Sequence, residues 1–254
     1  MESKFKLPTE TITLPSKGLL YPKDNLLSSG EIEMSYMTAK HEDILTNANY
    51  IKNGTAIDKL LEALIVTPIN FNDLIIGDKN AILIAARILG YGKDYPIQFF
   101  NGSTRQQDDY MVDLTELKEK EIDESLLTSG KNEFTYELPQ SKNTITFKLL
   151  TGGDEKKIDQ EIKGLKKLHP NDSFELTTRL KFMITSVEGT RESKDIREFV
   201  DKYLTAQDSR ALRDYYNQVM PDVDMKIDIE KDGYTQEGVV VPIGLNFFWP
   251  DAGV

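Results

Sequence analysis

The stretch "DKNAILIAARILGYGKDYPIQFF", Asp78–Phe100, changes its period halfway along. Its first half is apolar on nearly every side, which predicts a core helix rather than a surface one. Asp78 stands where an N-cap belongs, and Gly90 is the kind of residue that stops a helix. From Tyr95 onward "YPIQFF" reads as a strand. A buried helix running directly into a strand predicts an α+β fold with a helical core.

Three further strand-like runs follow: "DYMVDL" (109–114), "EFTYEL" (133–138) and "NTITFKLL" (143–150). With 95–100 they are expected to form one small antiparallel sheet in the middle of the chain. The charged "TELKEKEIDESLLTSGKN" (115–132) reads as a solvated excursion. Helical periodicity then returns in four sets: Ile158, Ile162 and Leu165; Leu176, Leu180, Met183, Ile184 and Val187; Ile196, Phe199, Val200, Tyr203 and Leu204; Leu212, Tyr215, Val219 and Met220. Thr205 and Asp208 have the spacing of a capping box. Val223, Met225, Ile227 and Ile229 alternate with acids and a lysine, and Asp232-Gly233 supplies a turn, so a C-terminal β-hairpin is expected.

Upstream, Pro8, Pro15 and Pro22 break any helix, so residues 1–28 read as an extended arm, laid on the surface or contributed to a neighbour. Ile32, Met34 and Tyr36 alternate as a short strand. Thr38 can cap a helix through Leu45, and Thr55 one that carries Ile57, Leu60, Leu61 and Leu64. The expected parts are the arm (1–28), a mainly helical part (29–94), a small β insert (95–150), and a helical part ending in a hairpin and aromatic tail (151–254).

The chain has 254 residues, no cysteine and a formal net charge of −11. Disulfides, thiolate metal sites and cysteine nucleophiles are excluded. Nucleic-acid binding draws most of its affinity from Lys and Arg against phosphate, so so acidic a chain is not expected to bind it. The lysines at 156, 157, 163, 166 and 167 are interleaved with acids and read as a solvated helix face. No run approaches the length of a membrane helix and the first residues lack a signal-peptide core, so neither membrane nor secretion is expected.

"YMTAKHEDILTN" (36–47) begins like the His-Glu-x-x-His helix of zinc proteases, but Leu45 occupies the second histidine's place. The only other histidine, His169, precedes a proline. Asp228-x-Glu230-x-Asp232-Gly233 imitates a calcium loop, but the position that needs a bidentate carboxylate is Val239. Gly90-Tyr91-Gly92 follows a helix, whereas a phosphate loop must open one. No catalytic residue, cofactor or metal is assigned. The terminal Phe247, Phe248 and Trp249 cannot all face one side of a strand. They are either buried within the fold or offered to a partner, and with Tyr21 of the arm they are the candidate partner contacts.

"LPSKGLLYP" (14–22), "IEMSYMTAKHEDILTN" (32–47), "GTAIDKLLEALI" (54–65), "DLIIGDKNAILIAARILGYGKDY" (73–95) and "FFWP" (247–250), in this order, resemble the baseplate hub and tail-assembly protein family of T-even-like contractile-tailed bacteriophages. The resemblance implies a non-enzymatic structural or chaperone-like role in the tail baseplate hub. It also implies partners among hub or tail proteins, with the tape-measure protein a candidate. The expected location is the host cytoplasm during assembly and the virion tail baseplate. Relatives with Cys-x-x-Cys after "GYG-x-x-Y" would carry a zinc-ribbon-like insert. This chain reads "FFNGSTRQQ" (99–107) there, so zinc is not carried over. The alternative expectation is a baseplate-associated, carboxylate-dependent cell-wall glycan hydrolase, which would need two carboxylates facing across a cleft.

Overall fold

A computed structural model of the chain describes residues 7–231 and 233–248. A first hairpin pairs β1 (Thr9–Thr13) with β2 (Glu31–Ser35). Helices α1 (Ala39–Leu45), α2 (Ala48–Asn53), α3 (Ala56–Leu64) and α4 (Ile76–Tyr91) follow. β3 (Asp94–Asn101) and β4 (Gln106–Asp113) form a second hairpin. β5 (Phe134–Glu137), β6 (Thr144–Phe147) and β7 (Ile184–Val187) make a three-stranded antiparallel sheet, with α5 (Gly152–Leu168) and α6 (Glu175–Met183) inserted before β7. Then come α7 (Ser193–Lys202), α8 (Ala206–Val219) and the hairpin of β8 (Lys226–Lys231) and β9 (Tyr234–Val240). The α+β expectation holds, and one apolar cluster, its half-buried members included, draws on every one of these elements except α2.

α4 is the element around which the rest is arranged. It buries Ile82, Leu83, Ile84 and Ala86. It starts at Ile76, ahead of Asp78, and runs through Gly90 to a cap at Gly92, whose φ of +84° suits a residue without Cβ. Asp78 therefore lies inside the first turn and is not the cap. Gly90 is a packing position: a Cβ there would fall 2.9 Å from the methyl of Met37.

The four middle strands do not share a sheet. β3–β4 stands alone, and β5–β6 takes β7 as its third strand. The expected helical face through Ile184 and Val187 is cut at Met183, where the backbone turns extended. The run Ile-Thr-Ser-Val alternates buried and half-buried residues, and its β-branched side chains suit a strand beside β6. α2 has no apolar stripe to announce it. Its ends fix it: Asn47 accepts from the N–H groups of Asn49 and Tyr50, and Gly54 closes it at φ +72°.

The arm expected at 1–28 is, from Leu14 on, part of the core. Leu14, Leu20, Tyr21 and Leu27 are buried; residues 1–6 lie outside the described residues. The charged 115–132 segment is also not a free excursion. It bridges to Val223 at Glu119, bonds Gly130 N–H to the Leu19 carbonyl at 2.6 Å, and pairs Glu124 with Lys17.

Candidate interaction surface and the core that carries it

The buried charges hold the chain together from inside. Asp78 is fully buried. Its Oδ1 accepts from the Ser16 N–H at 2.9 Å, and its Oδ2 from the Ser16 hydroxyl at 2.7 Å and the Tyr21 hydroxyl at 2.6 Å. Tyr21 Oη in turn accepts from the Ile75 N–H at 3.0 Å. Burial pushes the Asp78 carboxyl above the usual range, and the three donors work against that shift. Burial beside this carboxylate also raises the Tyr21 phenol. The α4 N-terminus favours a negative charge in its first turn. "PSKGLLYP" is thereby latched to α4, and Tyr21 faces inward rather than toward a partner.

A second junction lies next to the first. Gly77 presses on the linker after α8 so closely that a Cβ would meet the Pro221 carbonyl oxygen at 1.7 Å. Asn80 donates to Asp222 at 3.0 Å, and the Lys120 N–H donates to the Asp222 carbonyl at 2.8 Å. The Lys120 ammonium donates to the carbonyls of Asn217 and Met220 at the end of α8. Burial lowers the Lys120 pKa and raises that of Asp222.

Phe247 and Phe248 are fully buried. The Phe247 ring meets Tyr95 edge-on at 4.9 Å, and Tyr95 Oη donates to the Pro242 carbonyl at 3.2 Å. Under them Arg87, 2% exposed, donates to the carbonyls of Gly92 at 2.9 Å and Asp94 at 3.1 Å. Of the candidate partner contacts, Phe247, Phe248 and Tyr21 thus serve this chain's own core, while Trp249 lies outside the described residues. The sequence offered no signal for Arg87 or Lys120, since both bind main-chain carbonyls that leave no mark in side-chain patterns.

His41 is the third residue of α1, and its Nδ1 accepts from the Thr38 N–H at 3.0 Å. Partial burial, and secondarily Lys40, lower its pKa, in keeping with a neutral ring that accepts. Thr205 accepts from the Asp208 N–H at 3.1 Å, as the spacing predicts. The buried Asp208 carboxylate instead accepts from the N–H groups of Gln140 at 2.7 Å and Ser141 at 3.1 Å. Burial opposes that charge, but the donors outweigh it and the pKa falls.

With this geometry in view, comparison with known families is direct: the T4 bacteriophage base plate protein family matches residues 11–249. The chain belongs to that family. No curated protein and no solved structure matches it.

Among the open cavities that the described residues of this phage baseplate protein line are ones of about 340, 310 and 230 Å³, each with a single carboxylate in its lining, Glu62, Asp73 and Asp172. Among the described residues no group of three or more His, Cys, Asp or Glu could hold a metal ion, and no helix is long and apolar enough to cross a membrane. Its exposed apolar side chains include Phe100 and Met111 on the outer face of β3–β4, and Leu168 and Leu176 around the turn from α5 to α6.

Proposed function

We propose that this baseplate protein is a non-enzymatic structural or chaperone-like component of the tail baseplate hub, acting through protein–protein contacts. The supporting observation is the use made of its buried charges. Asp78, Arg87, Asp154 and Asp208 are all engaged by the chain's own main-chain groups or neighbouring side chains. Perturbed ionisable groups that converge on a cleft would suggest chemistry; Asp78, Arg87 and Asp208, the perturbed ones of this set, sit instead at joints of the fold.

In this reading the partners are other hub or tail proteins, met in the host cytoplasm during assembly. The purified chain should bind a purified hub protein or the tape-measure protein in sedimentation velocity, and mass spectrometry of finished particles separates a resident subunit from a departing chaperone. Binding to none of them, together with glycan-cleaving activity on purified cell wall, would overturn the proposal.

A further inference from the structure

The first hairpin leaves one main-chain edge open. β2 is engaged on both sides, by β1 and by the Met34–Ile65 bridge with the Val66 N–H donating to the Glu33 carbonyl at 2.8 Å. β1 is the outer strand. The Tyr36 N–H to Pro8 carbonyl bond and the Leu14 N–H to Gly30 carbonyl bond fix the phase of the ladder. Antiparallel positions alternate between bonded and non-bonded pairs. Glu10 and Ile12 therefore bond to β2, while Thr9, Thr11 and Thr13 turn their N–H and C=O groups away from it. These threonines are exposed, and among the described residues no main-chain bond reaches their outward groups.

Natural edge strands are usually guarded by lysine, proline or a bulge. β1 has none of these within Thr9–Thr13, and its register is unbroken. β3, by contrast, carries Pro96 on its outer edge and gives the Asp94 carbonyl to Arg87.

Charge narrows the occupant. Thr11 and Thr13 lie beside Glu33 and Glu31 on one face, and Glu10 is on the other. No lysine or arginine occurs between Leu7 and Ser16 or on β2. Ile12 continues the buried face of Ile32 and Met34.

We propose that the free edge of β1 takes an extended segment of a neighbouring baseplate protein as an added strand, with Lys or Arg alternating with apolar residues. The basic side chains reach over the short threonines to Glu31 and Glu33, and the apolar ones extend the face of Ile12. Main-chain bonds supply affinity and the alternation supplies specificity. The inference rests on the reading of the chain as a contact-making component.

The Thr11 N–H is unused within the hairpin, so Thr11→Pro removes a donor that only an added strand needs. The probe is a blocked peptide of alternating lysine and valine, about seven residues long, the usual span of a strand. It is titrated against the full chain by NMR. Amide shifts confined to the β1–β2 hairpin are expected. Thr11→Pro should weaken binding about tenfold, the worth of one hydrogen bond. Glu31→Lys with Glu33→Lys should do the same, and carries the test if the proline variant fails to fold. Absence of binding, shifts elsewhere, unchanged affinity in a folded variant, or self-association through β1 would each overturn the inference. Sedimentation with purified hub proteins, run in parallel, separates the two ideas. Binding that survives Thr11→Pro sinks the added strand alone, whereas a wild-type chain that binds none of them sinks the functional reading.

Discussion

The carboxylate of Asp78 takes three donors from two residues of the N-terminal segment and is fully buried. Asp78→Ala would leave the Ser16 N–H and two hydroxyls short of their acceptor and should cost about 3 kcal/mol in urea unfolding. Tyr21 shows how the same letters can be misassigned. An aromatic in a proline-bounded arm suggests an offered side chain, yet its hydroxyl donates to Asp78 and accepts from Ile75. The one sign available in the sequence was an aspartate in the first turn of an otherwise apolar helix, a charge that needs a partner if buried. His41 makes a pH-dependent statement. Its folded pKa lies below the ordinary value of 6.5, so the unfolded chain takes the proton first. Its contribution is therefore present above about pH 6.5 and is lost as pH falls through the lowered folded value. His41→Gln keeps an acceptor at that helix position without titrating. The stability of the wild type relative to His41→Gln should fall as the pH is lowered from about 6.5, measured by thermal melts over a pH series.

At the scale of elements, helices were legible where an apolar stripe met a cap, as at Thr38 and Thr205. Strands were legible where side chains alternate. What failed were boundaries and pairings. Ile184 and Val187 satisfy a helical spacing and a strand's β-branched preference alike, and the neighbouring β6 decides between them. The strap from Leu117 to Lys120 has no pattern of its own, because its role is carried by main-chain bonds to residues 222–224. Gly77 tests the tightest of these joints. Alanine would gain up to about 1 kcal/mol in helix propensity. Its Cβ would nonetheless fall 1.7 Å from the Pro221 carbonyl, main chain that cannot swing aside. Gly77→Ala should therefore destabilise by about 3 kcal/mol, read as a lowered urea midpoint with an unchanged slope.

For the whole molecule, the expected α+β class holds. A single apolar cluster spans the described chain. Its last members, Phe247 and Phe248, sit beside Tyr95 and each other. Phe247→Ala should cost about 3–5 kcal/mol and lower the melting temperature of the entire unit in one transition. Surface aromatics offered to a partner would change stability far less.

The hydroxyl of Tyr95 reaches a carbonyl 147 residues further along, and Asn80 reaches Asp222, 142 residues away. During synthesis at about 5–20 residues per second, α4 would wait on the order of ten seconds for the segments that close over it. Until Phe248 has cleared the ribosome, the half-built chain displays apolar surface of α4 that the finished fold buries. A nascent chain that has not yet made those segments would accordingly expose apolar surface of the kind that chaperones bind.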